Sequence, residues 1–158
     1  MASHSAGILL FRYRNGLLEV LLVHPGGPFW SGRDEGSWSI PKGLCREHEA
    51  PLEAARREFR EETGFAVDGD LLELGQIKQP SGKRVHVWAT EKNVDASRVS
   101  SNDFTLEWPR KSGHVQTFPE VDRAGWFDLA QARIKILKGQ AGFLDRLVDR
   151  LRHSAGHE

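Results

Sequence analysis

Three glutamates carry the first hint of chemistry in this chain. Glu58, Glu61 and Glu62 stand at i, i+3 and i+4, so on a helix their side chains share one face. Like charges at that spacing repel and weaken the helix unless a cation lies among them. Lysine or arginine could serve, but a hard divalent cation does it better, because carboxylate oxygens are the ligands magnesium prefers. Arg57 and Arg60 flank the cluster, and Arg57 could pair with Glu53 at i−4 or Glu61 at i+4, holding the carboxylates in place from behind. Taken alone, an E-x-x-E-E run is more often a solvated helix face laced with salt bridges.

A helix must exist for the spacing to matter. Leu52, Ala55, Phe59 and Thr63 recur at helical intervals, Gly64 stands where a C-terminal cap belongs, and Pro51 is tolerable only at the start. These residues predict a helix over 50–63. Upstream, 5–14 and 17–24 read as strands joined by Asn15-Gly16, a hairpin signal. A polar loop rich in glycine and proline runs from 25 to 36, and 37–40 reads as a short strand halted by Pro41. Downstream, 71–79, 84–90, 104–108 and 124–128 read as strands, with a polar loop over 93–103. Residues 129–136 predict a short helix, and 140–152 a longer one with Leu144, Leu147, Val148 and Leu151 on one stripe. The fold class is α/β (α+β), a mixed sheet covered by helices, with 1–158 read as one domain.

The context of the glutamates overturns the surface reading. The pattern G-x5-E-x7-R-E-U-x-E-E-x-G-U, with U a bulky apolar residue, is filled at every defined position by Gly43, Glu49, Arg57, Glu58, Phe59, Glu61, Glu62, Gly64 and Phe65. Seven fixed types at roughly 5–10% usage make chance agreement roughly one in a million. The segment resembles the Nudix box of the Nudix hydrolase (MutT-like) family, and the flanking strands are similar to that family's domain over nearly the whole chain. The resemblance implies an α/β/α sandwich in which a loop–helix–loop holds a divalent cation, magnesium or alternatively manganese, against a diphosphate. It implies Glu58 and Glu62 as metal ligands, Glu61 as a third ligand or the base, and a main-chain carbonyl near Lys42 or Gly43 as a further oxygen. Glu120 resembles the additional glutamate that many members recruit from a later loop. Glu107 competes with it, but Phe104, Leu106 and Trp108 alternate around Glu107 and suggest an exposed strand position. Glu58, Glu61, Glu120 and Arg57 are therefore the expected catalytic group, and Glu58, Glu62, Glu61, Gly43 and Glu120 the expected metal site. Cys45 sits at a variable position of the box and reads as a loop residue.

Substrate contacts are sought outside the helix. Trp38-Ser-Ile-Pro-Lys-Gly43 resembles the approach to the box in diadenosine tetraphosphate hydrolases, which places Lys42 as a point charge for a phosphate oxygen. Lys78, Lys83 and Arg84 flank a turn at 80–82 and could take outlying phosphates, although each alone is more often a surface charge. Trp30, beside Phe29 in the polar loop, offers either a stacking platform for a base or a loop anchor packed on the protein's own surface. Trp38, Trp88, Trp108 and Trp126 lie on predicted strands and read as core. Residues 24–30 and 101–109 are similar to a group of small bacterial Nudix proteins regarded as nucleoside triphosphate pyrophosphohydrolases. The expectation is hydrolysis of a nucleotide diphosphate linkage, with a non-catalytic nucleotide sensor as the alternative.

Composition sets the outer bounds. The 158 residues carry 22 basic and 22 acidic side chains, a zero net charge that argues against a whole-surface grip on nucleic acid or membrane. One cysteine excludes an internal disulfide framework, and the apolar run 6–11 is too short to span a bilayer. The expected partner is a small nucleotide, in the cytoplasm, with the amphipathic C-terminal helix as a candidate homodimer contact.

Overall fold

The structure, a computed structural model, describes residues 3–155. Strands β1 (His4–Arg14) and β2 (Leu17–Pro25) form the predicted hairpin, and Asn15 and Gly16 at its tip both take positive φ, as a tight two-residue turn requires. Residues 5–11 of β1 are buried without alternation. Such a run means that both faces of the strand are covered. Ala6, Ile8 and Leu10 pack with Leu21 and Trp88 beneath helix α1 (Pro51–Thr63). Leu9 and Phe11 pack with Val20 and Leu22 on the opposite face, beneath α2 (Leu129–Lys135) and α3 (Gly142–Ala155), which contribute Ala132, Phe143, Leu144 and Leu147. Two cores on two faces make the α/β/α sandwich.

The sheet runs β4 (Leu72–Lys78), β5 (Arg84–Glu91), β1, β2, β8 (Val121–Asp128). β1 and β5 are parallel and the other pairs antiparallel, so the sheet is mixed. A short strand, β3 (Lys42–Leu44), pairs with the first residues of β1, Ser5 opposite Leu44 and Gly7 opposite Lys42. Strands β6 (Asp103–Glu107) and β7 (Val115–Pro119) pair only with each other.

α1 follows its sequence signals closely. Ala50 is the extended residue before it, Pro51 opens the first turn, and Gly64 closes it at φ 81° while its N–H donates to the Arg60 carbonyl. Ala54, Ala55, Phe59 and Thr63 are buried against the sheet, and Phe59 is wholly so. Among the described residues no helix is long and apolar enough to cross a membrane.

Four expectations change. The strand expected at 37–40 is two isolated bridges, Ser39 with Val23 and Trp38 with Ile136. Pairing resumes only after Pro41, because the Ile40 N–H is taken by the Gln140 side chain at 2.9 Å and proline has no N–H to offer. Strand β7 had no counterpart in the sequence reading, and β8 starts three residues earlier than expected. Trp108 belongs to neither core; it lies beyond β6, with its ring edge-on to Phe29 at 5.2 Å. Trp38 and Trp88 are buried as expected, and Trp126 is half-buried with its indole N–H donating to the Val94 carbonyl.

Because Phe59 is the largest apolar side chain joining α1 to the sheet, Phe59→Ala should destabilise the protein by about 3–5 kcal/mol in urea unfolding. A loss below about 1 kcal/mol would show that α1 is held by other contacts.

Candidate active site

Arg57 is the hub of the charged side of α1. Its Nε and Nη2 grip Glu49 through both carboxylate oxygens at 2.8 and 3.0 Å, and Nη2 also donates to the Leu44 carbonyl at 2.9 Å. Nη1 donates to Glu58 Oε1 at 2.7 Å and to Glu61 Oε2 at 3.0 Å. One guanidinium thus ties the loop before the helix, the end of β3 and two of the three helix carboxylates together, using the planar fork that lysine lacks. The partner at i+4 is the one realised. The Arg57 guanidinium and the Arg46 N–H hold the Glu49 carboxyl down to about 2.

Gly43 has a steric reason for being glycine. A Cβ there would lie 1.9 Å from Glu58 Oε2, so the Glu58 carboxylate is seated directly against β3. Beside it the Lys42 N–H donates to Glu62 Oε1 at 3.2 Å. Burial pushes Glu62 up to about 8, with Glu58 and Glu120 adding to the rise and Lys42 opposing it. Burial lowers the Lys42 ammonium, against the pull of Glu62 and Glu58.

Glu120 arrives from 57 residues beyond the end of the helix by a relay of backbone bonds. The Asn102 N–H donates to the Glu61 carbonyl at 2.9 Å, the Glu120 N–H to the Asn102 carbonyl at 2.8 Å, and the Gly26 N–H to the Glu120 carbonyl at 3.0 Å. The last contact needs a glycine, since a Cβ at Gly26 would meet the Pro119 carbonyl oxygen at 2.0 Å. Ser101 Oγ accepts from the Val121 N–H at 2.9 Å and locks the same junction. Burial raises the Glu120 carboxyl, and Glu58 and Glu61 raise it further.

These elements enclose a cavity of about 330 Å³ lined by Lys42, Glu58, Glu61, Glu62, Asn102 and Glu120, with Gly43 and Leu44 at its β3 wall. A neighbouring cavity of about 300 Å³ shares Lys42 and Gly43 and adds Lys83 and Gln140. Trp30, Lys78 and Arg84 line neither: Trp30 lies under the Arg33 guanidinium, and Lys78 and Arg84 face each other, exposed, across β4 and β5. Glu107 is exposed on β6 and accepts from the Lys111 N–H. Arg57, expected among the catalytic residues, is outside the cavity lining and acts on the carboxylates from behind, so it is a positioning residue. Asn102 carried no expectation; it sits in a polar loop with no spacing signal, and only the relay to Glu61 and Glu120 brings it here.

The donor set suits a hard divalent cation. Four carboxylates face one cavity whose lining holds a single cation, Lys42; burial is the main cause of the upward shifts of Glu62 and Glu120, and the neighbouring carboxylates add to it. Among the described residues no three such side chains stand closed upon a single metal position; Arg57 and Lys42 occupy part of their oxygens.

A family model described as the NUDIX domain matches residues 3–147. An RNA pyrophosphohydrolase of Xanthomonas campestris is 29% identical over 116 residues, covering 69% of this chain and 56% of that protein, so the chain spans little more than half the length of that relative. A mouse bis(5'-nucleosyl)-tetraphosphatase (asymmetrical) is 29% identical over 123 residues, 68% of this chain and 79% of the mouse protein. The crystal structure of a Caenorhabditis elegans Ap4A hydrolase binary complex superposes with a TM-score of 0.65 at 22% identity, covering 96% of this chain and 99% of that one.

Two outcomes follow from the geometry. Gly43→Ala should cost about 1–3 kcal/mol by overpacking against Glu58. In a Glu58→Ala background the cost should fall below about 0.5 kcal/mol, and an unchanged cost would place the clash elsewhere. Glu49→Gln should lower stability by about 1–2 kcal/mol at neutral pH. Because the Glu49 carboxyl is depressed in the folded state, the wild-type advantage is full above its ordinary value of 4.5 and closes as pH falls through about 2. Urea titrations across that range read it directly, and a gap independent of pH contradicts the ion-pair assignment.

Proposed function

The chain belongs to the NUDIX family, and on that premise we propose that it hydrolyses a diphosphate linkage in a nucleotide, either a dinucleoside polyphosphate or a nucleoside triphosphate. The observation that carries this reading is the cavity where the three helix carboxylates meet Glu120 beside Lys42. Glu58, Glu62, Glu61, Glu120 and the Gly43 carbonyl are the groups that would hold magnesium or manganese. Such an ion, when bound, neutralises phosphate oxygens and acidifies water.

The chain's own residues do the rest. Lys42 presents a point charge to a phosphate oxygen and orients the diphosphate. Glu61 or Glu120 takes a proton from the water that attacks phosphorus. The new P–O bond forms as the bond to the leaving phosphate breaks, and the leaving phosphate departs as an anion. No side chain need become covalently attached. Burial pushes the Cys45 thiol up, away from the thiolate range that a nucleophile needs.

The names of the relatives choose the assay. Diadenosine tetraphosphate, the common nucleoside triphosphates and an RNA with a 5'-triphosphate end form the substrate panel, the last testing whether a polymer is accepted. With magnesium present, the wild type should release phosphate-containing products from at least one of them. Glu62→Gln should lose about a hundredfold or more of that rate. Mass spectrometry after reaction in labelled water identifies the phosphorus attacked. Tight nucleotide binding with no turnover anywhere in the panel would assign the chain to sensing instead.

A further inference from the structure

The walls of the cavity are poor in hydrogen-bond donors. Of the side chains that line it, only those of Lys42 and Asn102 carry an N–H, the remainder being four carboxylates, Gly43 and Leu44. The Lys42 ammonium already lies in the field of Glu62 and Glu58. Asn102 is different. It is exposed to the cavity, and among the described residues its carboxamide makes no hydrogen bond, although its backbone is held on both sides. The N–H is bound to the Glu61 carbonyl and the carbonyl to the Glu120 N–H, with Ser100 donating to the Thr63 carbonyl at 3.0 Å just before it. A free amide is therefore presented from a clamped main chain, and only side-chain rotation has to be arrested on contact with a ligand.

The residue type fits the surroundings. A lysine or arginine at 102 would be drawn onto Glu61 or Glu120, and an aspartate would add one more repulsion. A neutral amide keeps its N–H available to an incoming anion without competing for the carboxylates.

We propose that Asn102 is a substrate-binding residue whose Nδ2–H donates to a non-bridging phosphate oxygen of the diphosphate in the cavity, an assignment that rests on the proposed function above. Its main-chain bonds survive substitution, so Asn102→Ala removes the amide and leaves the Glu61–Glu120 relay intact. The test uses methylenediphosphonate, a diphosphate analogue that water cannot cleave, with magnesium in calorimetry, and manganese alone by electron paramagnetic resonance. Asn102→Ala should bind the diphosphonate about tenfold more weakly than wild type, while its manganese affinity stays within about twofold. Asn102→Ser, which keeps a donor, should recover part of the loss, and Asn102→Asp should bind the analogue more weakly still. Equal diphosphonate binding by wild type and Asn102→Ala removes the assignment and leaves the hydrolase reading standing. A proportional loss of manganese in Asn102→Ala also overturns it, by placing the residue with the ion. If the wild type binds neither manganese nor diphosphonate, the proposed function fails first and this assignment with it.

Discussion

Carboxylates crowded on one helix face repel one another, and the repulsion grows as water is excluded. Two unit charges about 4 Å apart interact by about 1 kcal/mol in bulk water and about 4 kcal/mol where the effective dielectric is near 20. A 13-residue helix carrying Glu58, Glu61 and Glu62 must absorb that cost before any ligand arrives. Arg57 does so for Glu58 and Glu61, while burial favours the neutral carboxyl at Glu62. Its guanidinium takes one oxygen from Glu58 and one from Glu61, and it anchors itself on Glu49 and the Leu44 carbonyl. Phe59, between Glu58 and Arg60 in sequence, points the other way into the sheet and fixes the rotation of the helix, so the charged face cannot turn away from β3.

Of α1 only Glu58, Glu61 and Glu62 line the cavity, so the fourth carboxylate comes from outside the helix. It comes from the junction between β7 and β8, and its placement depends on main-chain bonds rather than side-chain packing. Asn102 links Glu61 to Glu120, and Gly26 links Glu120 to the end of β2, so the site spans three segments far apart in sequence. Backbone relays of this kind tolerate changes of side chain except where two main chains touch. At Gly26 they do touch, and there the absence of a Cβ is a requirement.

What could be read from the sequence was local. The box helix was legible to within a residue because its periodicity, its proline at the start and its glycine at the end all act within one turn. The β1–β2 hairpin was legible for the same reason. The role of 37–40 was not, since its pairing is decided by Gln140, a residue one hundred positions away that occupies the Ile40 N–H. Trp108 and Phe29 each look like candidates for core or stacking until the fold sets them against each other. The carboxylate face of α1 followed from i, i+3, i+4 spacing, whereas Asn102 has no spacing to betray it. A residue placed by tertiary hydrogen bonds between loops leaves no periodic trace.

The same division of labour explains how an electrically neutral chain can present a place for an anion. Residues 46–62 hold six acids and four bases, and the bases are not spread evenly over the acids. Arg57 neutralises the rear of the cluster, binding Glu58 through Oε1, while Glu58 Oε2 is the oxygen lodged against Gly43 at the cavity wall. One carboxylate thus has an oxygen committed to holding the structure and another turned to the site. If Arg57 instead reached into the cavity, it would occupy carboxylate oxygens there and leave less for a divalent cation to balance. Keeping the guanidinium out of the cavity leaves its carboxylates facing inward with oxygens that a cation can use, and the bound cation can then attract phosphate. The net charge of the whole chain is silent about this, because the property that matters is which of the charges line the cavity.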